Sequence, residues 1–238
     1  MQPAPPPVRE LRTSDELARA LRLALLAPQL TEESIAAGCE RARREALAGV
    51  IVRPSDLDQA ARWTGAPVAL GAAIDWPHGF STTAVKQYAV RDALRRGAKE
   101  ISVPMNTGKL LSRQFQYLEM EFLQLTEACH ESGAVLVAHL ENLYLTDEHK
   151  IVACRIAKRA GADFLAASEP SDVALLAQHA RDRIQLSYRD ERPVDESLDA
   201  VLAAWTAGCT RIESVEAAAL LQAWNLRAAP PVTSDGAA

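Results

Sequence analysis

"RRGAKEISV" (95–103), "RAGADFLAA" (159–167) and "TAGCTRIES" (206–214) share one grammar: a helix-like segment closes on a glycine and then turns into a short apolar run. Glycine supplies the left-handed residue that ends a helix, and the short step into a strand is the αβ half of a βα unit. The repeated phrase therefore predicts a repeated βα architecture.

Working outward, apolar runs at 21–26, 48–52, 67–74, 101–105, 134–140, 163–167, 184–188 and 210–212 read as eight short strands. Helical patterns lie between them. In 112–132, Phe115, Leu118, Phe122, Leu125 and Cys129 recur at three- and four-residue steps, which puts one apolar stripe against a sheet. Eight alternating units predict an α/β protein of the (β/α)8 TIM-barrel class rather than an open sheet. Helix starts are expected at Thr31, Ser81, Ser112, Thr146, Ser171 and Asp195, each a residue whose side chain can cap a first turn. "SDELARALR" (14–22) predicts an extra N-terminal helix over the lower mouth of the barrel. The expected organisation is a mobile tail over 1–13, one barrel domain over 14–227, and a second mobile tail over 228–238.

Composition narrows the function classes. With 238 residues, 48% hydrophobic and 24% charged, the chain suits one large core and is short for two domains. A formal net charge of −5, with Arg and Lys scattered among acids, gives no footprint for nucleic acid. No apolar run approaches the ~20 residues that span a bilayer, and "MQPAPPPVRE" has neither the cationic region nor the apolar core of a signal peptide. A cytoplasmic protein is expected. Cys39, Cys129, Cys154 and Cys209 lie far apart without a C-x-x-C pair, which predicts buried structural thiols in a reducing compartment and no zinc cluster.

Read in order, "TTAVK" (82–86), "GAKEISVPMNTGKL" (97–110), "LYLTDEHKIVACRIAKRAGADFL" (143–165) and "AGCTRI" (207–212) resemble the 2-deoxyribose-5-phosphate aldolases. The resemblance is collinear over roughly residues 21 to 216, and its best-kept parts, "LTEESI" (30–35), "PHGFSTTAVK" (77–86) and "ENLYLTDE" (141–148), are scaffold. It implies a class I aldolase barrel that cleaves a phosphosugar through a lysine imine. In the matching frame, however, the Schiff-base lysine falls on Ala166, the second lysine on Ser187 and the strand-4 aspartate on Ser102. A methyl group and a hydroxyl cannot replace an amine nucleophile, so a divergent member without imine chemistry is expected. Of the five lysines, Lys86, Lys150 and Lys158 fall on helices and Lys99 on the lower rim, leaving only Lys109 near the upper face.

The family's phosphate cradle is also replaced. The glycine pair after strand 7 becomes Asp190 and Glu191, and the segment after strand 8 becomes Glu213, Ser214, Val215 and Glu216. Acids there repel a phosphate, which needs backbone N–H groups and little negative charge. A non-phosphorylated substrate is therefore expected.

A strand alternates its faces, so the family's inward parity carries over to this chain. On strand 5 it selects Val137, His139 and Glu141, and an imidazole beside a carboxylate is a usable acid/base pair or a core histidine held by its neighbour. Asp75 stands where the family keeps a glycine, which makes it a third catalytic candidate, the competing role being a salt bridge. Arg53 and Arg189 end strands 2 and 7, where guanidinium groups fit a carboxylate; pairing with Asp56, Asp190, Glu169 or Glu213 is the other reading. Asn106, His78, Ser102 and Ser187 complete the expected substrate-binding set. Asp75, His78, His139 and Glu141 would suit a transition metal only if strands 3 and 5 converged across ~10 Å, so no metal and no cofactor is assigned.

Two functions follow from different classes. One is a re-purposed lyase, cyclase or isomerase acting by acid/base chemistry on a small carbonyl or carboxylic acid, with Glu141 or Asp75 taking the proton, His139 donating to the developing oxyanion and Arg53 or Arg189 holding a carboxylate. The other is a pseudo-aldolase serving as a binding or regulatory subunit. Retained deoxyribose-phosphate aldolase activity is a third. A small-molecule partner is expected, nucleic acid and membrane are not, and a homodimer is an analogy with related barrels.

Overall fold

A computed structural model describes residues 10–180 and 183–228. Most of the two expected tails, 1–9 and 229–238, lies outside the described residues. Of the remainder, Leu11 packs on the core and Thr13 caps the first helix, its hydroxyl accepting from Glu16 N–H.

Eight parallel strands close into a barrel: β1 (Leu21–Leu25), β2 (Gly49–Val52), β3 (Ala69–Ala73), β4 (Glu100–Pro104), β5 (Val135–His139), β6 (Phe164–Ala167), β7 (Gln185–Asp190) and β8 (Arg211–Ser214). The helices are α1 (Ser14–Ala20), α2 (Glu32–Arg44), α3 (Leu57–Trp63), α4 (Thr83–Arg95), α5 (Thr107–Leu111), α6 (Phe115–Glu131), α7 (Asp147–Arg159), α8 (Pro170–Ala180), α9 (Val194–Ala207) and α10 (Ala217–Ala228). All eight expected strands are present, and so is the extra helix α1, which packs against α10. The glycines that gave the fold away do what their chemistry demands: Gly97, Gly161 and Gly208 adopt φ of 97°, 74° and 116°. Among the described residues no helix is long and apolar enough to cross a membrane.

The caps are right in part. Thr31 and Thr146 accept from Ser34 and His149 N–H. Ser81 does not cap α4, because Asp75 takes its hydroxyl and its N–H, and Thr82 holds the N-cap position instead. Ser112 closes α5 rather than opening one long helix, and Ser171 and Asp195 lie inside the first turns of α8 and α9.

The main apolar core lies between the strands' outer faces and the helices. All four cysteines are buried. Burial pushes the pKa of Cys39 and Cys154 up to about 11 and that of Cys129 to about 12, so these three stay protonated at neutral pH.

The barrel interior is built differently. Following the strand register around the barrel, with one residue of stagger per strand, gives layers of four side chains from alternate strands. From top to bottom these are Ala24, Ala73, His139 and Arg189; then Ile51, Ser102, Ala166 and Glu213; then Arg22, Gly71, Val137 and Ser187; then Gly49, Glu100, Phe164 and Arg211. Bulky aliphatic residues dominate most such interiors. Here the small residues Gly49, Gly71, Ala24, Ala73 and Ala166 leave room for long charged ones.

Candidate functional site

A column of ion pairs climbs through that interior. Arg22 Nη2 lies 3.1 Å from Glu100 Oε1, Arg211 Nη1 lies 2.6 Å from Glu100 Oε2, and Arg211 Nε donates to Glu213 Oε1 at 3.1 Å. Glu213 Oε2 then meets the upper layer, 3.5 Å from His139 Nε2 and 3.9 Å from Arg189 Nη1. Taking these charges out of water costs several kcal/mol per ion unless each is paired; the column supplies the pairing. Burial alone would raise the pKa of Glu100, but Arg211 and Arg22 outweigh it and hold the carboxyl below its usual range.

His139 is buried and meets the edge of Trp76, with centroids 5.1 Å apart and ring planes at 88°. Its pKa is pushed down to about 4, first by burial and then by Arg189 and Arg211, against an opposing pull from Glu213. Burial likewise opposes ionisation of Glu213, yet His139, Arg211 and Arg189 bring the net shift below the usual carboxylate value. At neutral pH the imidazole is uncharged, so the two guanidinium groups are what keep Glu213 ionised.

Above this layer, at the C-terminal ends of β3 to β7, is a cavity of about 140 Å³ whose walls include Trp76, Pro104, His139, Glu141, Ala166, Arg189 and Glu191. Two of the three expected catalytic residues, His139 and Glu141, share it with one expected arginine, Arg189. Arg189 Cζ lies 4.0 Å above the centre of the Trp76 ring, and its Nε donates to Glu191 Oε1 at 3.0 Å, with Nη2 bonding the same oxygen.

The other expected residues are engaged elsewhere. Asp75, at φ 55°, binds Ser81 N–H and Oγ at 2.7 Å and lies 3.8 Å from Lys86 Nζ. It holds the β3–α4 loop. Arg53 is bound by Asp56 and by the carbonyls of Ala27, Pro28 and Leu30, which ties β2 to the β1–α2 loop. Asn106 caps α5 through Lys109 N–H, and His78 is exposed and stacked on Phe80. Ser102 and Ser187 sit below the cavity floor, and neither hydroxyl has a hydrogen-bond partner among the described residues. Among those residues, no three His, Cys, Asp or Glu side chains are grouped to hold a metal ion.

The lysines are also accounted for. Lys86 is fully buried against Glu121 at 2.7 Å, Lys150 bonds Asp172 at 2.6 Å, Lys158 bonds the His179 carbonyl, Lys109 lies over the Tyr117 ring, and Lys99 is exposed just before β4. No lysine lines the cavity. Sequence reasoning gave Glu213 as an acid that repels phosphate and as a possible partner of an arginine, and missed its place beneath His139. Its register with Arg189 across β7 and β8 was the signal that could have turned it inward. Of the other acids after β7 and β8, Asp190 is buried on the outer side against Tyr188 and Ser197, Glu191 stands at the cavity rim, and Glu216 is exposed.

Residues 19–200 match the model of the family described as DeoC/LacD family aldolase. A "Deoxyribose-phosphate aldolase" of Bacteroides thetaiotaomicron is 31% identical over 220 residues, covering 89% of this chain and 91% of that protein. One of Thermococcus kodakarensis with the same name is 33% identical over 156 residues, 64% of this chain and 70% of that protein. Among solved structures, "QR15, an Aldolase" superposes with a TM-score of 0.82 at 22% identity, covering 89% of this chain and 97% of that one. The tetrameric deoxyribose phosphate aldolase of Aeropyrum pernix gives 0.80, also at 22% identity, over 91% and 94%. At that identity these two likenesses speak for the fold alone.

Proposed function

This chain belongs to the DeoC/LacD aldolase family, and from that premise we propose that it carries out imine-independent acid/base chemistry on a small, non-phosphorylated carbonyl-bearing carboxylic acid. The observation that carries this reading is the convergence of His139, Glu141 and Arg189 on one cavity that no lysine lines. Arg189 binds the substrate carboxylate through its planar N–H edge. The proton to be moved lies on the carbon beside the carbonyl, as in lyase and isomerase reactions.

Glu213 decides the direction of transfer. An ionised carboxylate 3.5 Å behind Nε2 favours the ring form with its N–H on that side, which leaves the lone pair on the other ring nitrogen. His139 then takes the carbon-bound proton, Glu213 stabilises the imidazolium that forms, and the electron pair moves to the carbonyl oxygen, which takes a proton that the partly exposed Glu141 relays from solvent. The resting pKa of about 4 keeps the base unprotonated before substrate arrives. These roles reverse the sequence expectation, in which Glu141 or Asp75 takes the proton and His139 donates. Asp75 is committed to Ser81 and lies off the cavity.

The test is a panel of small 2-oxo and 2-hydroxy acids in D2O, with loss of the carbon-bound proton followed by NMR. The wild type is expected to exchange at least one member, and His139→Ala and Glu141→Gln are each expected to slow it by about 100-fold or more. No exchange across the panel, or exchange indifferent to both substitutions, ends the reading.

Two observations favour the pseudo-aldolase reading: the cavity is smaller than the ~300 Å³ at which ligand sites usually begin, and Arg189 is already paired with Glu191. A barrel without turnover that is still stabilised by a small carboxylate would be that binding subunit.

A further inference from the structure

We propose that Glu191 is a built-in competitor whose carboxylate occupies the Arg189 site until the carboxylate of a small ligand displaces it. The inference rests on the reading of Arg189 as a carboxylate receptor and adds to it the residue that sets which ligands enter.

The two partners differ in freedom. The Arg189 side chain is 10% exposed, held by the Trp76 face at 4.0 Å and by Glu213 beneath at 3.9 Å, whereas the Glu191 side chain is 64% exposed. The receptor is fixed and its occupant can swing into water. One oxygen of Glu191 takes both the Nε and the Nη2 N–H, the edge by which guanidinium groups recognise carboxylates. Glu191 also forms part of the cavity wall, so its departure frees two donors and enlarges the space at once.

Exchange of one carboxylate for another leaves the charge beside Arg189 unchanged, and Glu213 stays paired below. A neutral ligand of the same shape would leave the guanidinium short of a counter-charge when Glu191 leaves. The arrangement therefore selects small monocarboxylates over their uncharged analogues. Competition inside the protein lowers apparent affinity by the fraction of time the site is self-occupied, so removal of the competitor raises it.

The probe is pyruvate, with pyruvamide as its neutral counterpart, titrated calorimetrically into the wild type, Glu191→Gln, Glu191→Ala and Arg189→Met. Both Glu191 variants are expected to bind pyruvate about tenfold more tightly than the wild type, as for a site self-occupied about nine-tenths of the time. Pyruvamide should bind more weakly than pyruvate to the wild type and to both Glu191 variants, and Arg189→Met should lose pyruvate binding. Equal or weaker pyruvate binding by both Glu191 variants, with binding still lost in Arg189→Met, overturns the competitor and leaves the receptor reading standing. Unchanged binding in Arg189→Met overturns both. Absence of pyruvate binding in the wild type and in both Glu191 variants also overturns the proposal.

Discussion

His139 Nε2 stands 3.5 Å from Glu213 Oε2 inside the barrel, and neither atom has a hydrogen-bond partner among the described residues. Two groups on non-adjacent strands, β5 and β8, thus rely on each other in a region with little water. That reliance links the stability of the barrel to the protonation of its cavity floor.

Stability should fall between pH 7 and pH 5 by an amount traceable to His139. Its folded pKa of about 4 lies below the ordinary value of 6.5, so in this window the unfolded chain binds the proton and the folded one does not. The unfolded state then gains as pH drops, and stability decreases from the ordinary pKa down to the folded one. Urea unfolding at the two pH values should show the wild type losing about 2 kcal/mol more than His139→Gln. The depressed carboxyls of Glu100 and Glu213 act in a lower window: their stabilisation is present above 4.5 and is lost below it.

Arg211→Met should be among the most destabilising single changes in the barrel. Arg211 bridges Glu100 and Glu213, and its loss leaves a buried charge short of its partner. The expected cost is roughly 3 to 5 kcal/mol by denaturant titration. Arg22→Met should cost less, because Glu100 keeps Arg211.

Borohydride with deoxyribose 5-phosphate should leave the mass of the wild-type protein unchanged. None of the lysines lines the cavity. Ala166→Lys puts an amine on the cavity wall, beside the charge of Arg189, and should gain a trapped adduct on that residue. A wild-type adduct on any lysine, located by peptide mass mapping, would return the chain to imine chemistry.

Gly79→Ala should disturb the loop that carries Trp76. Gly79 has φ 69°, and a Cβ there would stand 2.2 Å from the Pro104 carbonyl oxygen, so both the backbone angle and the close approach to β4 resist a side chain. The expected loss is roughly 2 kcal/mol or more in thermal or chemical unfolding.

Much of the fold was legible because its signals are local. A glycine that ends a helix and an apolar run that follows it need no knowledge of the rest of the chain, and Gly97, Gly161 and Gly208 carried that message. The alternation of a strand, with the inward set taken from the family the chain resembles, likewise turned Val137, His139, Ser187 and Arg189 inward. The caps show where local chemistry is ambiguous: Ser81 has the right side chain for an N-cap, but Asp75 from the end of β3 takes its hydroxyl.

The amino-acid sequence by itself determined the barrel and its strand order, since these rest on period, punctuation and chain connectivity, and its resemblance to a known family supplied the inward parity of His139 and Arg189. Tertiary structure alone decided the partners. It committed Asp75 to Ser81 and Arg53 to Asp56, set Glu191 against Arg189, and brought Glu213 beneath His139. The physical reason is range: a charge several ångströms away across the barrel acts on a side chain as strongly as a neighbour in sequence once water is excluded, and that distance exists only after the last strand closes on the first.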